Sequence, residues 1–151
     1  MALLEHTPDV GTLRRLRSRQ EIDRLDYFRA LRLVARTMRQ TDLARQLGIA
    51  QPSVSQALQR AETVPDVRPG FSGATPYEIA QRYSAGELTR DQLVDELARW
   101  EYRPSASGDG YDWSTYEPGE WQETVVRALR DGLIDGEAYE LALQKWESAG
   151  K

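Results

Sequence analysis

The sequence predicts an all-α protein in two parts, and three observations predict it. Apolar residues recur at steps of three and four along most of the 151 residues, as they do on one face of a helix. Gly48, Gly86 and Gly132 stand where such runs stop, and a residue suited to opening a new helix follows each within a few positions. The charge also changes sign along the chain. Residues 1–70 carry 12 arginines and 8 carboxylates, a net of +4; residues 71–151 carry 8 cations and 16 carboxylates, a net of −8. The change falls at "TVPDVRPGFSGATP" (63–76), rich in proline and glycine, which reads as a linker. The expected organisation is a helical N-terminal domain over 1–62, the linker 63–76, and an acidic helical region over 77–151.

The first helical stretch is expected over 7–38. Thr7 is suited to cap it, Pro8 to its first position and Asp9 to the positive end of its dipole. Leu13, Leu16, Ile22, Leu25, Phe28, Leu31, Val34 and Met38 keep roughly one face, but the phase skips around "RSRQ". The reading is a short arginine-rich helix, a break, and a longer helix over about 23–38. Thr41 is then expected to cap a helix over Asp42 to Leu47, and Gly48 to end it with a positive φ. Pro52 opens the next helix, which runs to about Ala61.

The acidic region holds a weak internal repeat. With a shift of 46, "IAQRYSAGELTRDQLVDELARW" (79–100) lies over "VVRALRDGLIDGEAYELALQKW" (125–146) without a gap, matching Gly86 to Gly132, Leu97 to Leu143 and Trp100 to Trp146. Each copy reads as a helix, a glycine stop and a second helix ending in Trp. Thr89 and Asp135 are the expected caps, Thr89 with Gln92 as a capping box. Two αα-hairpins are therefore expected, over 77–102 and 121–147. Between them "RPSASGDGYDWSTYEPGEW" (103–121) mixes Ser and Gly with Tyr111, Trp113, Tyr116 and Trp121, rings that either pack on the hairpins or meet a partner. Asp109, Asp112, Glu117 and Glu120 lack the spacing of a calcium loop and read as a solvated acidic stretch.

Several chemistries are excluded. The chain has no cysteine and one histidine, His6, so thiol catalysis, a Ser-His-Asp triad and Cys/His zinc sites have no residues to use. No glycine-rich phosphate loop is present, and no cofactor is expected. No apolar run nears the roughly 18–20 residues of a membrane helix. "MALLEHTPDV" does not have the order of a signal peptide, so cytoplasmic residence is expected. The protein is not expected to be an enzyme.

One stretch carries a specific function. In "QTDLARQLGIAQPSVSQALQ" (40–59), Val54, Leu58 and Ala61 share one side of the second helix; Pro52, Gln56, Gln59 and Arg60 lie opposite, with Gln51 and Ser55 on the flank. The first helix is expected to bury Leu43, Ala44 and Leu47, with Ile49 beneath the turn. A helix-turn-helix that presents its second helix outward has this geometry. The residues Gln40-Thr41, Ala44, Leu47-Gly48-Ile49, Gln51, Val54 and Ala57-Leu58 resemble, in register, the helix-turn-helix of the Cro and phage-repressor class, the Xre-like regulators. "DYFRALRLVARTMR" resembles that family's preceding helix. The resemblance implies that Gln40 contacts phosphate, that Gln51 reaches bases, and that further base contacts fall on Pro52, Ser55 and Gln56. Gln can bond adenine at N6 and N7, Ser is permissive, and Pro52 offers an apolar contact such as a thymine methyl. Gln59 joins the base-facing set. Thr41, Arg45, Ser53 and Arg60 are the further phosphate candidates. The family's two later helices have no counterpart before the linker, so Leu13, Leu16 and Ile22 are expected to supply cover.

Two features stay open at this level. The arginines of "RRLRSR" (14–19), Arg14 and Arg15 foremost, either contact DNA phosphate or form a solvated face. The acidic region, through Tyr83, Trp100, Trp113, Trp121, Tyr139 and Trp146, either holds a homodimer together or covers a partner protein, as in an antitoxin that neutralises a basic toxin. The expected function is a sequence-specific DNA-binding regulator, a repressor acting on double-stranded DNA as a dimer. The alternative is an antitoxin-type protein with autoregulatory DNA binding.

Overall fold

The computed structural model describes residues 7–104 and 119–149, and no β-strand occurs among them. Its helices are α1 (Val10–Ala35), α2 (Gln40–Leu47), α3 (Gln51–Glu62), α4 (Pro76–Ser84), α5 (Arg90–Arg99), α6 (Gly119–Trp121), α7 (Arg127–Arg130) and α8 (Gly136–Ala149), with a π-helical turn over Gln122–Val126 joining α6 to α7. The chain forms two compact units: Gln20–Asp66, and Met1–Arg19 together with Val67–Lys151. The chain passes between the units at 19/20 and again at 66/67, so that residues 7–19 group with the acidic half.

α1 starts later than expected. Asp9 caps it in place of Thr7: the Thr12 N–H donates to Asp9 Oδ1 at 2.9 Å. That bond holds the Asp9 carboxyl below its usual range. The expected break at "RSRQ" is absent, because the skipped apolar step is filled by a paired polar one. Ser18 is buried and its hydroxyl donates to Ser84 Oγ at 3.0 Å. Arg19 donates to the Ala85 carbonyl at 3.1 Å, at the C-terminal end of α4. These residues are good enough helix formers to carry α1 straight through.

In the smaller unit the second half of α1 buries Phe28 and Leu31 against Leu43 and Ala44 of α2, Val54 and Ala61 of α3, and Val64. Gly48 ends α2 at φ 72°, where its N–H and that of Ile49 close back on Arg45 and Ala44 carbonyls. Leu47 and Ile49, expected inside, are 45 % and 40 % exposed. They flank the exposed turn at the rim of a core that Leu43, Ala44 and Val54 already span. The cover expected from Leu13 and Leu16 is also not there, since both are exposed; only Ile22 is buried. Arginines tie down the chain leaving α3 instead. The Arg32 guanidinium donates to the Ala61 and Val64 carbonyls and to Asp66. Arg29 donates twice to the Pro65 carbonyl, at 3.0 and 2.9 Å.

In the larger unit, residues 67–75 pack as an ordered loop. Glu96 is buried and accepts from the Ser72 N–H and hydroxyl, the latter at 2.7 Å. Thr75 caps α4, Thr89 and Gln92 form the capping box of α5, and Asp135 accepts from the Ala138 N–H at 2.8 Å ahead of α8. Gly86 and Gly132 take φ of 89° and 78° at equivalent stops. α5 packs along α8. Trp121 is fully buried and stacks on Trp146 at 4.7 Å between centroids, with Tyr102 edge-on at 4.9 Å. Arg82 and Glu78 form a buried ion pair at 3.0 Å, which Glu87 extends at 2.8 Å. The first half of α1 completes this unit. Arg19 holds the end of α4, and Arg14 lies over Gly132, so close that a Cβ there would stand 3.0 Å from its guanidinium.

Candidate nucleic-acid interface

α3 turns one side inward and the other out. Val54 and Ala61 are buried and Ala57 and Leu58 partly so, whereas Gln51, Pro52, Ser53, Gln56, Gln59 and Arg60 are exposed and Ser55 is half-buried. The helix wheel fixes this split, because residues three and four apart share a face.

Gln51 and Gln40 open their helices and meet across the turn. Gln51 Nε2 donates to Gln40 Oε1 at 2.9 Å. One Gln51 N–H and its Oε1 then remain for a base edge, which is the pair of groups that adenine N7 and N6 require. The Gln40 amide nitrogen keeps both of its N–H groups for an acceptor such as phosphate oxygen.

Neither helix has a side-chain cap. Arg39 precedes α2 and Ala50 precedes α3, and neither accepts a first-turn N–H through its side chain. Thr41, expected as a cap, lies inside the first turn of α2 and is exposed. First-turn N–H groups of a helix left without a cap can be met by an anion, which the helix dipole also favours.

The cations sort by what they already hold. The Gln20–Asp66 unit has seven arginines and six carboxylates, a net of +1, so bulk charge does little here. Arg29 and Arg32 serve the chain after α3, Arg24 pairs with Glu21 at 2.8 Å, and Arg45 pairs with Asp42 at 3.0 Å while 76 % of its side chain stays exposed. Arg36, Arg39 and Arg60 are exposed, with no ion pair among the described residues. Sequence reading missed Arg36 and Arg39, although "RTMRQT" places them directly before Gln40. Arg14 and Arg15 group with the other unit.

The aromatic set expected as a partner surface is largely core. Trp100 and Trp121 are buried, and Trp146, Tyr83 and Tyr139 pack against the same cluster, so their apolar area is mostly used within the chain. Trp100 Nε1 donates to Glu120 at 2.7 Å and Trp121 Nε1 to the Tyr139 hydroxyl at 3.3 Å, which meets the polar needs of both rings. Trp113 lies outside the described residues. Among those residues no cluster of His, Asp or Glu has the arrangement of a metal site, and no helix is long and apolar enough to cross a membrane. No protein-family model, curated protein or solved structure matches the chain.

Proposed function

We propose that this protein is a sequence-specific DNA-binding transcriptional regulator, a repressor that reads the major groove with α3 and acts in the cytoplasm as a two-fold dimer. The observation that carries this reading is the outward polar face of α3, with Gln51 held by Gln40 and apolar residues locked beneath. A solvent-exposed helix has no need of a glutamine pair oriented across a turn, whereas base readout does. The resemblance of residues 40–58 to the Xre-like helix-turn-helix supports the same role. Gln51, Ser55, Gln56 and Gln59 then face base edges and Pro52 a thymine methyl. Gln40, Thr41, Ser53, Arg45 and Arg60, joined by Arg36 and Arg39, face phosphate.

The antitoxin reading rests on the acidic half, but Trp100 and Trp121 are spent in its core and the arginines of α1 already lie on it. The DNA reading is therefore preferred. Fluorescence anisotropy of the full chain on the DNA upstream of its own gene, against a scrambled duplex across a salt series, tests it. Tight binding that separates the two duplexes at physiological salt is expected. Equal binding to both that vanishes with salt would defeat it, and co-purification of a basic protein would then favour the alternative.

A further inference from the structure

α5 and α8 run parallel and end together. Arg90, at the start of α5, pairs with Asp135 at 2.7 Å and Glu137 at 3.0 Å, at the start of α8. Further along, Lys145 reaches Asp95 at 3.3 Å. The far ends of the two helices carry the tryptophans that the internal repeat matches, Trp100 and Trp146. Trp146 stacks on the buried Trp121 and is itself only half-buried. Ala98 and Ala149 stand at the same end, where larger side chains would fill the space. What is left is an open cleft of about 540 Å³, walled also by Arg68, Phe71 and Tyr102. Small-molecule sites span roughly 300–1,000 Å³. The cleft lies wholly within the larger unit.

The side chains of this cleft have polar groups of one kind left to offer. The Arg68 guanidinium lies 4.5 Å from the centre of the Trp100 ring and 5.5 Å from that of Phe71, which anchors it against the wall. It makes no hydrogen bond among the described residues. Its one ion contact there is Glu101 at 3.9 Å, a carboxylate 90 % exposed to water and so of little hold. The Trp146 Nε1–H has no acceptor among the described residues and is open to solvent. The other polar groups are taken. Trp100 Nε1 donates to Glu120 at 2.7 Å and the Tyr102 hydroxyl to the Leu97 carbonyl. Arg99 donates to Asp95 at 2.8 Å and to the Gly70 carbonyl at 3.1 Å. Aromatic walls with unspent donors, one of them a fixed cation, call for a flat ligand that carries acceptors and negative charge. The paired N–H groups of a guanidinium match the two oxygens of a carboxylate. We propose that the cleft binds a planar organic anion, an aromatic carboxylate whose ring lies among Phe71, Tyr102 and Trp146 and whose oxygens take Arg68. A cationic ligand is repelled by Arg68 and Arg99, and a neutral one leaves the guanidinium unmatched. The site stands independently of the reading of α3.

Titration of the isotope-labelled full chain with 2-naphthoate at neutral pH, followed by the indole N–H signals in NMR, is the test. The neutral alcohol 2-naphthylmethanol, with the same ring, is the control. A ligand of this size at ordinary efficiency binds at about 1 mM. The Trp146 signal, assigned from Trp146→Phe, should shift and saturate with naphthoate. The alcohol should bind at least about 10-fold more weakly, since it lacks the charge-assisted pair. Arg68→Met keeps an apolar stem on Trp100 and should bring the two ligands within about 2-fold of each other. Ala149→Phe, a change at an exposed position, should abolish the shift by filling the cleft. Unchanged circular dichroism shows that both variants are folded. No saturable shift up to about 10-fold above the expected constant would overturn the proposal. Equal affinity of the wild type for acid and alcohol would do the same, as would a naphthoate preference that survives in Arg68→Met. Undiminished binding by Ala149→Phe would place the ligand elsewhere and overturn it too.

Discussion

Gln51 gives one amide N–H to Gln40 and keeps its remaining groups for a base, so the two glutamines act as a unit. Gln51→Ala should cost roughly 1–3 kcal/mol of discrimination at one base pair, and Gln40→Ala should lower affinity on all sequences and lose part of the same discrimination. The double variant should cost less than the sum of the singles. Strict additivity in anisotropy titrations would show that the bond does not position Gln51. Arg32 works on stability instead. Its guanidinium satisfies two carbonyls at the end of α3, so Arg32→Met should destabilise the smaller unit by about 1–3 kcal/mol in urea denaturation; the pair with Asp66 adds little because that carboxylate is exposed. The outward set on α3 was legible from sequence because a 3.6-residue period decides it locally. The work of Arg29 and Arg32 was not, because their partners lie about 30 residues on and exist only once α1 and α3 have packed.

Helix starts separate what is local from what is not. The Thr89–Gln92 capping box follows from residues three apart and could be read directly, as could the positive-φ glycines 48, 86 and 132. Thr7 and Thr41 are equally good caps by type, yet Asp9 takes the first role and α2 starts two residues early, with no side-chain cap. Thr89→Ala should therefore lower stability by about 1 kcal/mol, while Thr41→Ala should be neutral within about 0.5 kcal/mol in thermal melts. A Thr41→Ala variant as damaged as Thr89→Ala would contradict the observed start of α2. Between elements, Asp95 of α5 bonds Arg99 at 2.8 Å and Lys145 of α8 at 3.3 Å, and the Arg99 bond first, then Lys145, holds its carboxyl below the usual range. A depressed folded pKa stabilises above the unfolded value and is lost as pH falls through the folded one. The melting temperature of Asp95→Asn should therefore lie below wild type at neutral pH, and the gap should close below about pH 4. A gap that stayed constant down to pH 2.5 would mean that the Asp95 charge contributes nothing. The π-helical turn after Trp121 was not read from the sequence, although three of its five residues, Thr124, Val125 and Val126, are β-branched and weak helix formers.

At the scale of the whole molecule, charge read along the sequence misleads and charge read in space does not. Residues 1–70 carry a net of +4, but the unit that carries α2 and α3 has a net of only +1. Much of the excess lies in the first half of α1, where Arg19 and Arg14 meet the ends of α4 and α7 in the acidic unit, at the two glycine stops that the internal repeat makes equivalent. The acidic half thus has a cationic helix of its own, which sequence order hid because residues 14–19 precede the DNA-facing helices and the carboxylates follow them. This partition makes a quantitative claim about binding. Each phosphate neutralised adds about 0.9 to the slope of log affinity against log salt. Arg39→Ala and Arg60→Ala should each flatten that slope by about 1 per bound copy, because each removes an exposed cation from the α2–α3 surface. Arg14→Ala with Arg15→Ala should leave it unchanged, although the pair removes as much formal charge as the other two together. Equal flattening by both sets would mean that only overall charge is at work. A slope that responded to Arg14 and Arg15 alone would move the DNA contact from α2 and α3 to the start of α1, and the glutamine face of α3 would then need another partner.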